Sequence, residues 1–478
     1  MSLTLPASGR TAPSSPISDK AAYTVAAGVA TVGLFSVVVP NLADAAIIVL
    51  AIIAGGLLWQ HRWQRLRPVI VLALVWMVFV ALSAVWATYS GSPGNQFRSW
   101  NKHIPIALGP LLAIAFAAAC RRLRWPAERL LALFLAALVV GALVQLIRND
   151  AIGTMLELRS SNGFLGGINR NIAALICSLA IVASVSLLYY GLFERAVRSV
   201  YTIAAAIGLV FVLGALLLLL VLLQSRTGYA GTTLGLMAWL VAMAALTRHR
   251  PTTGRSRQLQ LAAAFVAIAA LAFAGYGAWQ ISGRSLIGAP AGGWLELTNL
   301  VLHGRFEQAY AVAQTAEERL QILTLAADLF HRRPWLGWGP DVWLLPRHFS
   351  PLPNLLDINQ FHNGYAQFLV SFGIVGALLI GVYLVALLSV ALGGSRRAAA
   401  GMSAPMVAAS IGLLVLLLVE NASESVLLVK CAACVAMMLT ALVCMAAADE
   451  VVQGNNRGET PIGSTGYSSP CSAAASLS

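Results

Sequence analysis

The sequence predicts an all-α, polytopic integral membrane protein, with about 12 transmembrane helices and one long loop that contains helices of its own. Hydrophobic residues make up 59% of the chain and charged residues only 10%, whereas a soluble globular domain has roughly 25% charged residues. Apolar blocks recur along the chain, each close to the roughly 20 residues that a helix needs to cross the hydrocarbon core. Backbone polar groups in lipid must be satisfied within the chain, so each block is expected to be a helix.

The apolar blocks and the polar segments between them divide the chain into regions. The predicted spans are 22–39, 42–60, 68–87, 104–120, 129–147, 171–191, 200–223, 229–246, 259–280, 367–392, 403–419 and 425–447. The resulting regions are a disordered cytoplasmic tail (1–21), transmembrane helices 1–9 (22–280), the long loop (281–363), transmembrane helices 10–12 (364–448) and a second disordered cytoplasmic tail (449–478). An even number of spans places both tails on the same side of the membrane.

Arginine is concentrated in every alternate loop between the predicted spans. These loops are 61–67, 121–129, 193–199, 248–257 and 395–397. By the positive-inside rule they lie in the cytoplasm together with both tails, and the long loop lies on the outer face of the membrane. The net charge of +13 is therefore typical of membrane topology, and nothing indicates nucleic-acid binding. Basic residues on the outer face have no such topological role, which suggests an anionic ligand there.

The long loop, 281–363, is the long polar segment around which the spans are arranged. Segments 295–313 and 315–332 have helical patterns, and Pro334 is expected to end the second helix. Two glycines in LGWGP predict a tight turn, and three later prolines predict extended chain. These residues are Gly337, Gly339, Pro346, Pro351 and Pro353.

Two arginines of the outer face are candidate ligands for an anion. Arg226, in LLQSRTGYAG, lies where the predicted seventh and eighth spans meet. An arginine beside the membrane core is costly and usually has a partner or an anionic ligand, although the alternative is a side chain that extends to the interface. Arg319 lies early in the second predicted loop helix, where an exposed helix face is the simpler interpretation.

His362 and Asn363 lie at the end of the long loop, where the chain re-enters the membrane. A histidine in this place can act as a base or orient a substrate near neutral pH. A single histidine is nevertheless more often structural than catalytic. His303 and His331 are competing loop histidines without a comparable sequence context.

Three further basic residues near span ends have more than one interpretation. Arg98 and Lys102, in GNQFRSWNKHIP, are spaced so that both would lie on one face of a helix. They can contribute to a phosphate-binding surface or anchor the chain at the interface. Lys430 lies inside the last span near Glu420 and Glu424, and a buried ion pair is the expected reason.

The motifs of two other function classes are missing. No GxxxxGK[ST] phosphate-binding loop occurs, which argues against an ATP-driven pump. Asp341 and Asp357 are isolated in the outer loops, so neither a metal nor a cofactor is expected. Cys431 and Cys434 have CxxC spacing, but small-residue packing is the better interpretation within an apolar span.

The order of several motifs resembles a known family. SRTGYAG lies at an outer helix junction, ADLFHRRPWLGWGPDVW in the long loop, and HNGYAQFLVSFGIVGALL where the chain re-enters the membrane, while NRNIAALICSLAI begins an earlier span. Over residues 68–447 this order resembles the O-antigen ligase and O-antigen polymerase superfamily of bacterial polysaccharide assembly. The His-Asn pair followed by GIVG, and PWLGWG before it, carry most of the resemblance.

The resemblance implies a GT-C type membrane glycosyltransferase of the bacterial inner membrane, surrounded by membrane lipids, with an undecaprenyl-diphosphate-linked glycan as donor. In the ligase branch the acceptor is lipid A–core oligosaccharide at the periplasmic face. Arg226 and Arg319 match the family's arginines and would hold the diphosphate, and His362 matches its histidine and would act as a base toward the acceptor hydroxyl. The further candidates for substrate binding are Asn363, Arg98 and Lys102. A one-step displacement would invert the anomeric carbon without a metal.

Three other functions stay open at this point. An O-antigen polymerase uses the same donor with another lipid-linked glycan as acceptor, and a protein O-oligosaccharyltransferase transfers the glycan to Ser or Thr. The ligase is favoured because the outer soluble part is modest and dominated by one loop. A transporter suits the number of spans, but the two halves show no matching pattern and few charges fall within the membrane.

Overall fold

A computed structural model describes residues 17–60, 66–99, 102–148, 170–194, 200–223, 225–247, 291–313, 318–356, 360–395, 403–422, 424–425 and 430–455. Within these ranges every regular element is a helix. Ten of the described helices are long and apolar enough to cross a membrane. The predicted all-α, polytopic membrane fold is therefore confirmed.

Helices account for nearly all of the described chain. In order they are α1 (Asp19–Val38), α2 (Pro40–Gln60), α3 (Arg67–Tyr89), α4 (Gln96–Ser99), α5 (Pro105–Arg122), α6 (Ala127–Arg148), α7 (Arg170–Tyr189), α8 (Val200–Leu223), α9 (Arg226–Thr247), α10 (Ala291–Leu302), α11 (Phe306–Ala313), α12 (Glu318–Arg332), α13 (Leu345–Phe349), α14 (Gly364–Ser395), α15 (Ala404–Asn421) and α16 (Lys430–Asn455). A π-helical turn, Tyr190–Glu194, extends α7, and a 3-10 turn, Pro353–Leu355, precedes α14.

Several helices begin with residues that favour a first turn. The Ser18 hydroxyl accepts a hydrogen bond from the Ala21 amide at 3.2 Å and so caps α1. Prolines occupy the first turn of α3, α5 and α15. Proline is suited to that place because the missing N–H would have no partner within the helix.

The helices agree with the predicted spans wherever the structure describes them. The predicted ninth span, 259–280, lies outside the described residues, as does most of each predicted tail. The helix α16, Lys430–Asn455, follows the predicted last span. That helix also continues to Asn455, beyond the point where the second tail is predicted to begin.

Small residues allow the transmembrane helices to approach closely. Gly235 of α9 and Gly412 of α15 face each other, and a Cβ on Gly412 would lie 2.6 Å from the Gly235 carbonyl oxygen. Gly109 of α5 meets α16 in the same way, because its Cβ would lie 2.9 Å from the Met437 carbonyl oxygen. Lipid tails are as apolar as the side chains, so close van der Waals packing of this kind stabilises helix pairs in a membrane.

Polar contacts mark the two ends of the helix bundle. At one end Arg122 of α5 forms a 2.6 Å ion pair with Asp19 of α1, and Ser403 before α15 donates a hydrogen bond to Glu128 of α6. At the other, which we call the loop end, Nδ1 of His362 before α14 contacts Glu424, which follows α15, and Glu424 accepts a hydrogen bond from Asn171 at the start of α7.

The long loop differs in part from its prediction. The predicted helix 295–313 is two helices, α10 and α11, because Gly304 interrupts it with a left-handed φ of +69°. The second predicted helix is α12, which ends at Arg332 before Pro334 as expected. The prediction of extended chain after it is wrong in part, because α13 and the 3-10 turn are short helices with proline in their first turn.

The loop has a small apolar core of its own that packs on α14. Its buried members include Leu325, Leu329, Trp338, Phe361 and Val370. Apolar residues recur at helical spacing along α12, so one face of that helix is buried. The Trp338 indole N–H donates to the Leu329 carbonyl at 2.8 Å. This core fixes α12 against the membrane helix α14.

The glycines of PWLGWG are fixed to a break in α14. Gly373 interrupts that helix with a φ of +62°, and Gly337 and Gly339 have φ values of +67° and +94°, all of which favour glycine. The Gly339 amide donates to the Ser371 carbonyl at 2.8 Å, and a Cβ on Gly337 would collide with the same carbonyl. The predicted tight turn is confirmed, and it serves as the contact between the loop and α14.

Candidate active site at the loop end

The start of α9 is a capped helix N-terminus with Arg226 in the first position. The Ser225 hydroxyl accepts a hydrogen bond from the Gly228 amide at 3.2 Å, which is the geometry of an N-cap. Helix N-termini attract anions because their amides and the helix dipole make them electropositive. An arginine in that position adds a full positive charge to the same turn.

His362 lies in a tight bend before α14. Its φ of +48° is left-handed, a conformation that few residues other than glycine adopt. Asn363 stabilises the bend, because its side-chain oxygen accepts from the amides of Tyr365 and Ala366 at 3.0 Å each and so caps α14. Asn363 thus has a structural role, while its role in substrate binding stays a prediction.

The His362 ring is paired with a buried carboxylate. Its Nδ1 lies 3.1 Å from Oε2 of Glu424, which follows the end of α15. The Glu424 side chain is 3% exposed, whereas that of His362 is 29% exposed. Because a buried carboxylate is costly unless it is paired and hydrogen-bonded, the contact satisfies Glu424 and leaves the histidine partly open.

The carboxylate decides which ring nitrogen of His362 carries the proton. An ionised carboxylate can only accept hydrogen bonds, so Nδ1 must donate to it. The Gln360 amide nitrogen lies 3.3 Å from Nδ1 and 3.5 Å from Oε2 of Glu424, and the shorter, charge-assisted contact between ring and carboxylate is the stronger one. In the neutral ring, Nε2 of His362 is then the nitrogen without a proton.

A chain of hydrogen bonds continues from Glu424 to the start of α9. Asn171, at the start of α7, donates from Nδ2 to Oε1 of Glu424 at 2.6 Å. The Ser225 hydroxyl donates to Oδ1 of Asn171 at 2.9 Å. All three side chains are buried, and Arg226 is the next residue after Ser225. The structure therefore connects the histidine to the turn that bears the arginine through three buried polar side chains, which we call the Glu424 network.

The other predicted site residues are placed in different ways. Arg319 is exposed near the start of α12, and within the described part of the chain no hydrogen bond or ion pair joins it to His362. Arg98 lies in α4, whereas Lys102 lies beyond it with Nζ 4.0 Å from the centre of the Trp343 ring. The expectation that the two share one helix face is wrong, because α4 ends before Lys102.

Some predictions concern side chains outside the described residues. These are the side chains of Arg226, Arg98 and Lys430. The predicted ion pair of Lys430 with Glu420 and Glu424 therefore stays a prediction. The described partners of Glu424 belong to α7 and to the bend before α14, so its carboxylate serves the loop end whether or not the lysine contributes.

A second polar cluster, within the loop, stabilises the fold. Asp328 of α12 accepts two hydrogen bonds from Arg332, at 3.0 and 2.9 Å, and one from the Tyr310 hydroxyl at 3.1 Å. Burial, and then the charge of Asp328, raise the pKa of Tyr310. The hydrogen bond to Asp328 raises the pKa of Arg332. These contacts hold α11 against α12.

Arg333 joins the loop to the end of α3. Its guanidinium donates to the hydroxyls of Ser90 and Ser92 at 2.7 Å each and to the Ser90 carbonyl at 2.9 Å. It also stacks on Trp338, 4.0 Å from the ring centre. Burial lowers the pKa of Arg333. These contacts give Arg333 a structural role.

Another histidine, His103, lies at the loop end but inside the protein. Its Nε2 lies 3.4 Å from the Pro340 carbonyl oxygen, and its ring packs edge-on against Phe372 with the centroids 4.8 Å apart. Burial lowers the pKa of His103 to about 4. The imidazole is therefore neutral at pH 7 and serves packing between α5 and α14.

Two features away from the Glu424 network concern ligands. A cavity of about 700 Å³ lies between α6, α7 and α8, and it is lined mainly by apolar residues with Arg129 among them. None of the predicted site residues lines it. Among the residues that the structure describes, no group of three or more His, Cys, Asp and Glu is arranged to hold a metal ion.

Asn171, Ser225 and Glu424 are not among the residues that sequence reasoning assigns to the site. Their one common signal is position, since each is a polar residue at the end of an apolar span on the same side. Asn171 and Ser225 also fall within the motifs NRNIAALICSLAI and SRTGYAG. Their mutual contacts cannot be inferred from spacing, because Asn171 and Glu424 are 253 residues apart.

Comparison with known proteins supports the resemblance drawn from the motifs. Residues 209–381 match the family model of O-antigen ligase, and this segment contains Arg226, Arg319 and His362. The resemblance to the O-antigen ligase and polymerase superfamily is confirmed by this match. No curated protein matches the chain.

Proposed function

We propose, from the match of residues 209–381 to the O-antigen ligase family, that the protein is an O-antigen ligase. It transfers a preassembled glycan from undecaprenyl diphosphate to lipid A–core oligosaccharide, at the periplasmic face of the bacterial inner membrane. Both termini are then cytoplasmic and the loop end of the bundle faces the periplasm. The arginine-rich loop 121–129, at the end of the bundle where Arg122 pairs with Asp19, supports this orientation.

Arg226 and Arg319 bind the diphosphate of the donor in this proposal. Arg226 begins α9, where the helix N-terminus already favours an anion. Guanidinium groups bind phosphates through charge-assisted, two-pronged hydrogen bonds. Their positive charge stabilises the negative charge that develops on the diphosphate as it leaves. Arg319, exposed at the start of α12, contributes from the loop.

His362 accepts the proton of the acceptor hydroxyl. The acceptor oxygen forms a bond to the anomeric carbon while the bond from that carbon to the diphosphate oxygen breaks, and the electron pair leaves with the diphosphate. The proton goes to Nε2 of His362, since Glu424 holds Nδ1 at 3.1 Å. A single displacement of this kind inverts the anomeric carbon and uses no metal.

One observation carries the proposal more than any other. The partly exposed imidazole of His362 is paired with the buried carboxylate of Glu424 at the loop end. Hydrogen bonds through Asn171 and Ser225 connect this pair to the turn that bears Arg226. That arrangement supports the proposal, because glycan transfer from a lipid diphosphate to a hydroxyl requires a proton acceptor near an anion-binding group.

Purified protein reconstituted in liposomes tests the proposal. With a defined undecaprenyl-diphosphate glycan as donor and lipid A–core as acceptor, we expect glycosylated lipid A–core of inverted anomeric configuration, measured by mass spectrometry and NMR, with or without EDTA. Replacing lipid A–core by a second lipid-linked glycan provides the polymerase control. Elongation of that glycan without transfer to lipid A–core would assign the protein to the polymerase branch instead.

A deletion strain gives the matching test in cells. We expect loss of all long-chain lipopolysaccharide bands, together with accumulation of undecaprenyl-linked glycan, and restoration by the wild-type gene. Restoration by a His362→Ala gene would contradict the assigned base. Lipopolysaccharide with single-repeat bands only would indicate a polymerase, and a normal profile would exclude both activities.

A further inference from the structure

We propose that Glu424 positions both halves of the active site. It fixes His362 in its proton-accepting tautomer, and through Asn171 and Ser225 it holds the start of the helix that carries the donor-binding arginine. The inference rests on the proposed function and deepens it. Asn171 and Glu424 lie outside the segment that matches the ligase family, 209–381, so the assignment depends on the geometry of the site.

The two oxygens of the Glu424 carboxylate have separate tasks. Oε2 accepts from Nδ1 of His362 at 3.1 Å, and Oε1 accepts from Nδ2 of Asn171 at 2.6 Å. Glu424 is 2% exposed, so bulk water does not compete for either oxygen. A buried carboxylate that is bonded on both sides has one orientation. The carboxylate therefore fixes the position of the bend before α14 relative to the start of α7.

His362 needs this carboxylate because imidazole has two neutral tautomers. Without an acceptor at Nδ1 the proton can reside on Nε2, and that nitrogen then cannot take a proton from a hydroxyl group. Gln360 does not take this role in the structure, because the atom it presents 3.3 Å from Nδ1 is an amide nitrogen, a donor that favours the other tautomer. The carboxylate also stabilises the imidazolium that forms during transfer.

Asn171 extends the same constraint to α9. Its amide is oriented at both ends, by the Glu424 carboxylate and by the Ser225 hydroxyl, which donates to Oδ1 at 2.9 Å. Ser225 in turn caps α9 by accepting from the Gly228 amide at 3.2 Å. The position of the first turn, and of Arg226 within it, is therefore set by the same network. Donor affinity is expected to depend on Asn171, and turnover on Glu424.

The alternative is that Glu424 only braces three helix ends. Glutamine has the same shape and keeps one acceptor oxygen, so it would preserve much of a brace. Glutamine has no negative charge, however, and its amide nitrogen can donate to Nδ1 and stabilise the wrong tautomer of His362. Replacing Glu424 by glutamine therefore separates control of the base from mechanical support.

The decisive experiment compares Glu424→Gln, Glu424→Asp and His362→Ala in the reconstituted full-length protein. We expect Glu424→Gln to lower kcat roughly 100-fold with a thermal unfolding midpoint near that of the wild type. Glu424→Asp keeps the charge and should restore part of kcat. The double variant His362→Ala with Glu424→Gln should be no slower than His362→Ala alone, because the carboxylate acts through the ring.

Asp328→Asn is the matched control for loss of a buried carboxylate. Asp328 is 4% exposed and accepts hydrogen bonds from the Arg332 guanidinium, but it belongs to the loop core. We therefore expect a lower thermal midpoint with kcat near that of the wild type.

Asn171→Ala should raise the KM for the lipid donor more than it lowers kcat. Ser225→Gly is the milder second variant, because glycine retains most of the capping effect while the hydrogen bond to Asn171 is removed.

The possible results separate this inference from the proposed function. Glu424→Gln with wild-type kcat and only a lower thermal midpoint would make Glu424 a brace and overturn the inference. A loss in Glu424→Gln that adds in full to the loss in His362→Ala would overturn it too, because the carboxylate would then act independently of the ring. Near-normal turnover of His362→Ala is the separate result that removes the proposed base itself.

Discussion

Two histidines at the loop end of the bundle show how differently one type of side chain is used. His362 is 29% exposed and its Nδ1 contacts the Glu424 carboxylate at 3.1 Å. His103 is 3% exposed, and its ring packs edge-on against Phe372. The His103 backbone carbonyl also accepts the Trp76 indole N–H at 3.2 Å. One histidine is thus partly exposed beside a buried carboxylate, and the other joins α3, α5 and α14.

The difference lies in the partners: a carboxylate contacts the ring of His362, whereas a backbone carbonyl and an aromatic ring contact the ring of His103. Burial, with a smaller contribution from the charge of Lys102, lowers the pKa of His103 to about 4, so its imidazole is neutral at pH 7. The arginines divide in the same way. Arg333 donates to Ser90 and Ser92 and serves the fold, whereas Arg226 begins a helix whose N-terminus favours an external anion.

Loss of His362 has the largest expected effect and tests the contrast most directly. His362→Ala should lower the initial rate of glycan transfer in liposomes roughly 100- to 10,000-fold, because the acceptor hydroxyl loses its base. His362→Asn is the matched variant, since asparagine tolerates the left-handed φ of +48° and so separates loss of the base from backbone strain. Wild-type turnover of the asparagine variant would contradict the assignment of His362 as the base, and the two histidines would then not differ in chemical role.

Loss of Arg226 should have the next largest effect. Arg226→Ala is expected to lower transfer roughly 100- to 1,000-fold, since the leaving diphosphate loses a positive charge, and Arg319→Ala should act in the same direction. Arg226→Lys keeps the charge but not the two-pronged geometry, so it should recover only part of the rate. Measurement of kcat and of the KM for the donor distinguishes these variants. An unchanged rate in either alanine variant would remove that arginine from the site.

The fold can be predicted from the sequence more fully than the site. The length of the apolar blocks and the basic residues in alternate loops define the spans. A chain in lipid must satisfy its backbone polar groups internally, and a helix does so. The structure departs from the prediction where a single residue changes the local backbone conformation. Gly304 divides the predicted helix 295–313 through its left-handed φ, and the prolines after Pro334 begin short helical turns instead of extended chain.

The site is only partly predictable because its members are brought together by packing. Arg226 and His362 can be selected by their motifs and by their place beside the membrane. Glu424 cannot, since its role depends on contacts with Asn171 and with a histidine from distant parts of the chain. The sequence instead suggests Lys430 as its partner, which is the expected choice when only neighbours along the chain are visible.

Replacement of Arg333 sharpens the contrast between structural and ligand-binding arginines. Arg333→Ala removes hydrogen bonds to Ser90 and Ser92 and the stacking on Trp338, at an expected cost of about 2–3 kcal/mol of stability. The thermal midpoint in detergent should fall, while the KM for the donor stays near that of the wild type. A large rise in that KM with unchanged stability would instead place Arg333 with the donor-binding arginines.

A further expected effect, similar in size to that of Arg333→Ala, is a pH dependence of stability that belongs to His103. Its pKa is about 4 in the folded protein against an ordinary value of 6.5, so the unfolded chain binds a proton more readily between these values. The stabilisation is complete above pH 6.5 and is lost as the pH falls toward 4, by roughly 3 kcal/mol in all. His103→Phe keeps an aromatic ring and removes the titration, so its thermal midpoint should fall less steeply than that of the wild type from pH 7 to pH 4.5. Replacement of the exposed His303 by asparagine serves as the control and should leave the wild-type slope. If His103→Phe kept that slope, another group would cause the acid sensitivity, and burial would no longer explain how His103 differs from His362.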